Sequence, residues 1–187
     1  KQVFVSNSDN LGAVPDARVA GWFARSGAPF AIEAVRRTPS DRKGGHFAVR
    51  KDDGRIVLRE TAQTLDEDKS ALADLDRHRY TSTNNLWFDL AAMKAELDAR
   101  DGILGLPLIK NTKTVDPSDS STPEVIQVET AMGAAIEVFE GAQVIEVFRD
   151  RFIPVKTTND LLVLRSDCYD FEGDAQLRLA EGVRQVP

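Results

Sequence analysis

Only one cysteine, Cys168, occurs in the 187 residues, so no disulfide can form within the chain. A lone thiol suits a reducing compartment and gives no support to a disulfide-stapled secreted fold. Cations are outnumbered, with 24 Lys and Arg against 30 Asp and Glu and a net charge of -6. That excludes the basic field on which nonspecific nucleic-acid binding depends. It leaves nucleotide binding open, because one or two placed cations and a metal can hold a triphosphate on an acidic protein. No apolar run approaches the roughly 20 residues of a membrane-spanning helix. The two histidines, His46 and His78, stand at no metal-ligand spacing, and His78 lies in the charged stretch Asp74 to Arg79, so neither receives a role. Walker A, Gly-x-Gly-x-x-Gly, paired Cys/His zinc motifs and the Gly-x-Ser-x-Gly elbow are all missing. What is present is an ordinary globular composition, 42% hydrophobic and 29% charged, long enough for one domain with a real core.

The order of elements reads as alternating strands and helices. Val3-Phe4-Val5 is a short continuous apolar run, as expected of a strand buried on both faces, and it enters the loop cluster Asn7-Ser8-Asp9-Asn10-Leu11-Gly12. Lys1-Gln2 precedes it with neither initiator Met nor signal sequence, and the chain stops as abruptly at Pro187; the expectation is a segment of a longer polypeptide. Asp16 is positioned to cap a helix carrying Val19, Trp22 and Phe23 and ending near Gly27, and Phe30 to Val35 reads as the next strand. Lys43 to Val49 and Gly54 to Leu58 read as a hairpin about the turn at Lys51-Asp52-Asp53-Gly54. Thr64-Leu65-Asp66-Glu67 has the form of a capping box opening an acidic helix through Leu72 and Leu75. Asp89 is expected to cap a helix with Leu90, Met93 and Leu97 in one stripe. Leu106 to Ile109 reads as a short strand and the polar, proline-interrupted stretch Asn111 to Pro123 as a mobile loop. Then come a strand at Val125 to Val128, a helix with Met132, Ala135, Ile136 and Phe139 on one face, and a strand at Val144 to Phe148. The last helix opens at Thr157-Thr158-Asn159-Asp160, and Cys168 reads as a buried structural thiol at its apolar end. The whole is an α/β pattern with a mixed, largely parallel sheet.

Several residues have two chemical readings. Asp9, just past a strand, can ligate magnesium, with the Asn7 amide reaching a substrate hydroxyl; the same residues can simply form an Asx turn. Lys156, after Arg151-Phe152-Ile153-Pro154-Val155 and at a helix start, can face a phosphate; it can equally be a snorkelling surface lysine. Asn84 and Asn85 in Thr83-Asn84-Asn85-Leu86-Trp87 offer donor and acceptor pairs suited to sugar hydroxyls, or a turn before the helix at Asp89. Lys43-Gly44-Gly45 permits close approach of backbone to a ligand or is only a turn. Glu60 can accept from a sugar or be solvated.

Taken together, Ser6-Asn7-Ser8-Asp9-Asn10-Leu11-Gly12, Thr83-Asn84-Asn85-Leu86-Trp87 and Pro154-Val155-Lys156-Thr157-Thr158 resemble the UTP–glucose-1-phosphate uridylyltransferase (UDP-glucose pyrophosphorylase) family of eukaryotic-like type. The similarity runs from Val3 to about Tyr169 and includes Glu60-Thr61-Ala62-Gln63, Asn111-Thr112-Lys113-Thr114 and Val125 to Ile136. The resemblance implies part of a Rossmann-like nucleotidyltransferase domain, with residues 1–170 as the second half of the catalytic domain and 171–187 as the start of the connection to a C-terminal β-helix domain. It implies Mg2+ and the nucleotide phosphates at Asp9, the phosphates and the transition-state charge at Lys156, and glucose at Asn7, Gly45, Glu60 and Asn84. The implied reaction makes UDP-glucose and pyrophosphate from UTP and glucose-1-phosphate in the cytoplasm, without nucleic acid or membrane, and with the oligomeric state unspecified. Two rivals share the field: a UDP-N-acetylhexosamine or broad UDP-sugar pyrophosphorylase, and a non-catalytic truncated module. The family's Gly-rich nucleotide loop and the His segment after it lie outside these residues, so the isolated chain is expected to be inactive. Thr81-Ser82 stands where relatives often carry Phe-Asn.

Overall fold

The computed structural model describes residues 1–41, 44–61, 64–171, 173 and 176–183, the side chain of Ser40 aside. Lys43, Ala62 and Gln63, singled out in the sequence, lie outside the described residues.

The sheet is built around β2 (Phe30–Arg36) and β5 (Tyr80–Asp89), which pair antiparallel. β3 (His46–Val49) and β4 (Ile56–Arg59) form the expected hairpin and extend one side of the sheet. β8 (Gln143–Glu146) extends the other side, parallel to β2. β1 (Gln2–Val5) pairs antiparallel with the far end of β5. The mixed α/β architecture is therefore as expected. The balance of strands is not: β2–β8 is the parallel ladder, and the remaining ladders of this sheet among the described residues are antiparallel. The physical reason is connection length, because the β3–β4 turn is too short to permit a parallel crossover.

β2 is the strand covered on both faces, and its sequence shows why. Phe-Ala-Ile-Glu-Ala-Val is apolar at every position but Glu33, so neither face can be left to water. Phe30 and Ile32 pack with Leu58, Leu86, Ala135, Ile136 and Phe139 on one side. Ala31 packs on the other with Val19, Phe23, Ala28 and Trp87. Truncating a side chain such as Phe30, which is 0% exposed, typically costs about 3–5 kcal/mol. β1, by contrast, borders the sheet, and Val3 is exposed. Burial on both faces holds there only in part: Phe4 packs toward one core cluster and Val5 toward the other, and Val3 is left exposed because β1 borders the sheet.

The helix starts follow local chemistry. Asp16 caps α1 (Ala17–Ser26) by accepting from the Arg18 amide, and Gly27 closes it. Asp89 accepts from the Ala91 and Ala92 amides at the head of α3 (Leu90–Ala99). Thr157 and Asp160 exchange side-chain and backbone bonds in a capping box before α4 (Thr158–Leu164). Thr64 does not cap: its hydroxyl turns back to the Glu60 carbonyl at 2.8 Å. The acidic helix there shrinks to a 3-10 turn at Asp66–Asp68 and the single turn α2 (Lys69–Leu72). Met132 to Phe139 is likewise not α-helical. A 3-10 turn over Met132–Glu137 buries Ala135 and Ile136 while Met132 stays exposed, since a period of three does not hold a 3.6-residue stripe on one face.

The stretch expected to be a mobile loop, Asn111 to Pro123, is strand as far as Thr114 and a turn from there on. β6 (Leu108–Thr114) and β7 (Glu124–Thr130) pair in full antiparallel register as a separate two-stranded ribbon, closed by a turn over residues 115–123. β7 contains the strand expected at Val125 to Val128, while β6, expected to end at Ile109, runs on through the polar residues 110–114, which carry no apolar alternation to mark them as strand. A second small hairpin joins β9 (Tyr169–Phe171) to β10 (Leu177–Leu179). Cys168 sits just before β9, outside α4 and only half-buried. No helix among the described residues is long and apolar enough to cross a membrane.

Candidate functional site

One edge of β5 is shared by two strands. β1 pairs with its distal part, from Leu86 to Asp89, and β3 meets it at Thr81. Between them residues 83–85 are not paired to either strand, and the edge opens there. On the other edge the β2–β5 register shifts, so that Thr83, Asn84 and Asn85 all lie opposite Glu33. This bulge puts Asn84 at φ 57, a left-handed conformation that asparagine tolerates better than most residues. Consecutive residues then point apart: Asn84 reaches out to Asn7, and Asn85 is wholly buried.

The sequence-derived residues gather in three pairs around this opening. The Asn84 amide donates to the Asn7 side-chain oxygen at 2.8 Å, at the point where the chain leaves β1. Gly45, where the chain enters β3, lies under the carboxylate of Glu60. A Cβ at Gly45 would stand 2.5 Å from Glu60 Oε2, so a larger residue would displace that side chain. Gly45 is tied to β5 through its carbonyl, which accepts from the Ser82 amide and the Thr81 hydroxyl. Burial pushes the Glu60 carboxyl above its ordinary pKa. Asp9 and Lys156 form the third pair, with Lys156 Nζ 3.5 Å from Asp9 Oδ2. The other oxygen, Asp9 Oδ1, is buried and has no hydrogen-bond partner.

Three of the backbone donors beside Lys156 are in use. The Asp160 carboxylate accepts from the amides of Lys156 and Thr157, and the Asp160 amide bonds the Thr157 hydroxyl. The bond from the Lys156 amide first, then those from the Thr157 hydroxyl and amide, hold Asp160 below the usual carboxylate range. What Lys156 can offer a phosphate is therefore its ammonium. A cavity of about 760 Å³ lies behind it, between residues 149–156, α4 and the β9–β10 hairpin; of the six residues singled out, Lys156 alone lines it.

Four residues that sequence reasoning passed over hold the site together. Glu33 is fully buried and accepts from Arg151 through two bonds of 2.7 Å, from Asn85 at 3.0 Å and from the Trp87 indole at 2.9 Å. Arg151 also donates to the Val14 carbonyl at 2.8 Å, reaching the loop that carries Asp9. Asn10 is buried and bonds both Asn85 and the chain at 151–153. Gly12 completes the close approach: a Cβ there would fall into the backbone of Asp150 to Phe152. A signal for this network did exist. Glu33 interrupts an otherwise apolar strand, and a buried carboxylate demands a cation. The sequence does not say which of the many arginines supplies it.

With a mixed-sheet α/β fold and a carboxylate–lysine pair beside a polar opening, the chain has the architecture of a nucleotidyltransferase, and comparison with known proteins specifies the type. The family model for UTP--glucose-1-phosphate uridylyltransferase matches residues 1–186. The barley (Hordeum vulgare) UTP--glucose-1-phosphate uridylyltransferase is 41% identical over 167 residues, covering 89% of this chain and 33% of the relative. The Saccharomyces cerevisiae protein of the same name is 38% identical over 170 residues, covering 91% of this chain and 33% of its own. Among solved structures, the Trypanosoma brucei UDP-glucose phosphorylase superposes with a TM-score of 0.87 at 44% identity, over 96% of this chain and 38% of that one. A Leishmania major UDP-glucose pyrophosphorylase mutant in complex with UDP-glucose gives 0.83 at 45%, over 96% and 40%. The chain belongs to the UTP–glucose-1-phosphate uridylyltransferase family. It spans about a third of the length of these curated relatives.

Proposed function

We propose that the polypeptide to which this chain contributes transfers a uridylyl group from UTP to glucose-1-phosphate, giving UDP-glucose and pyrophosphate. The observation that carries the reading is the pairing of Asp9 with Lys156 at 3.5 Å beside the Asn7–Asn84 pair. It sets a charged, phosphate-compatible end next to an amide-rich, sugar-compatible one. On this reading an oxygen of glucose-1-phosphate attacks the α-phosphorus of UTP, the bond from that phosphorus to the bridging oxygen breaks, and pyrophosphate leaves. Lys156 offsets the negative charge that builds on the phosphates. Asn7, Gly45, Glu60 and Asn84 hold the sugar hydroxyls, and the backbone at Gly45 lets Glu60 close over it. Such chemistry depends on positioning and charge compensation, with little need for a general base.

The residues fit a magnesium ion held by Asp9. Asp9 Oδ1 is buried without a hydrogen-bond partner, so it remains an open acceptor. Magnesium takes one or two protein carboxylates and completes its shell with water and phosphate; when bound it would supply charge neutralisation at the triphosphate. The reading extends to residues 1–170 as the second half of the catalytic domain, 171–187 as the lead into a following domain, and a cytoplasmic role in carbohydrate metabolism.

Steady-state kinetics of Lys156→Gln in the full-length polypeptide, with both substrates varied, tests the proposal. The expected result is a loss in kcat of about a hundred- to thousand-fold in a folded protein. Lys156→Arg should rescue poorly, since a planar fork cannot replace a compact ammonium. Turnover near the parent value would return Lys156 to the surface.

A further inference from the structure

We infer that Asn10 is the positioning residue that sets the spacing of Asp9 and Lys156, an inference that rests on the proposed reading of those two as the phosphate-facing pair. Asn10 stands in the same short motif as Asn7 and Asp9, yet it is 5% exposed and turned away from the opening. Its one amide makes four hydrogen bonds, the whole of its capacity. Nδ2 donates to Asn85 Oδ1 at 3.1 Å and to the Arg151 carbonyl at 3.1 Å. Oδ1 accepts from the Ile153 amide at 2.8 Å and from the Gly12 amide at 3.2 Å.

Those bonds join three pieces of chain that are remote in sequence. Oδ1 and Nδ2 fix the turn at residues 9–12 against residues 151–153, and the backbone continues the contact. The Leu11 amide bonds the Ile153 carbonyl at 3.0 Å, the Val155 amide bonds the Asp9 carbonyl at 2.9 Å, and Asn10 and Pro154 form an antiparallel bridge. Asp9 ends this clip on one side and Lys156 follows its last residue on the other, so its register decides whether their side chains meet. The bond to Asn85 then ties the clip to β5 next to Asn84, and so to the sugar-facing side. Asn85 is itself fixed by Glu33, which Arg151 grips from the same segment as Lys156. The sugar side and the phosphate side therefore share one buried hydrogen-bonded frame, with Asn10 as its junction.

Asn10→Asp is the discriminating variant. It keeps the shape and an oxygen for the Ile153 and Gly12 amides, but sets an acceptor against Asn85 Oδ1 and the Arg151 carbonyl. Amide hydrogen exchange on this chain gives the first readout. Exchange at Leu11 and Val155 should quicken while the β2–β5 ladder stays protected. Unchanged protection at both amides would overturn the inference whatever the kinetics. If Asn10→Asp loses the ladder as well, Asn10→Ala, which removes the bonds without adding charge, replaces it and is judged by the same criteria.

Kinetics of the full-length polypeptide give the second readout. Misplacing a reacting group by about 1 Å can cost on the order of 100-fold in rate. The loss should fall more on kcat than on KM for the sugar phosphate, since Asn10 reaches the sugar side only through Asn85, the neighbour of Asn84. In a Lys156→Gln background the same change should add almost nothing, because both act through one pair. Full additivity would mean that Asn10 serves stability alone and would overturn the inference. A silent Lys156→Gln would instead sink the phosphate reading on which the inference stands, and the exchange result would show that failure for what it is.

Discussion

Arg151 grips Glu33 through two N–H···O bonds of 2.7 Å, with the carboxylate 0% and the guanidinium 10% exposed. The pair links the central strand to the segment that carries Lys156, and Arg151 lies 6.0 Å from the Phe4 ring centroid on β1 as well. Removing one partner strands the other charge in the interior. Arg151→Leu is therefore expected to cost about 3–5 kcal/mol, read from denaturant unfolding. Arg151→Lys should recover little, because an ammonium cannot reproduce the two-pronged contact and still reach the Val14 carbonyl. An unfolding midpoint close to the parent for Arg151→Leu would contradict the assignment.

His46 gives a pH-dependent prediction. Its ring is buried, has no hydrogen-bond partner on either nitrogen, and stacks on His78 with centroids 3.7 Å apart. Burial first, then His78, Arg59 and Arg37, hold it down from 6.5 to about 4; burial also lowers His78, which Asp74 partly offsets. The fold thus favours neutral His46. Its contribution is complete above the unfolded value of 6.5 and is lost as pH falls from there to about 4. The loss is on the order of 3 kcal/mol at most. His46→Leu should flatten the stability profile across that window, as followed by urea midpoints at successive pH values. An equal acid slope in the variant would exclude His46 as its source.

Asn84 separates backbone from side-chain roles. At φ 57, Asn84→Gly should fold with stability near the parent, while Asn84→Val should cost about 1–2 kcal/mol for the left-handed conformation alone. Both lose the bond to Asn7, so both should raise KM for the sugar phosphate in the full-length polypeptide. Equal stabilities for the two variants would show that the bulge is not strained.

The β6–β7 ribbon confines the expected loop to its tip. Residues 108–114 and 124–130 should show protected ladder amides, and residues 116–122 should exchange fast. Shortening the turn over 117–121 should change the melting temperature little, because that tip bonds mainly to itself. Uniformly fast exchange from Asn111 to Pro123 would restore the loop.

The sequence by itself determined what neighbours within a few residues decide. Asp16, Asp89 and the Thr157/Asp160 box cap the helices foreseen for them, and the turn at Asp52–Gly54 closes the expected hairpin, because each signal and its partner lie within one turn of chain. The run from Phe30 to Val35 was legible as a strand, and the structure covers both of its faces. The family, too, was legible from ordered segments. The site residues could be nominated one by one, but not assembled. Tertiary structure alone decided that Asn84 faces the opening while Asn85 braces the core, since a bulge against Glu33 breaks the alternation that their adjacency suggests. It alone chose Arg151 for Glu33 and set Lys156 beside Asp9. These contacts join residues more than a hundred positions apart, and such pairings leave no periodicity or spacing in the sequence by which to read them.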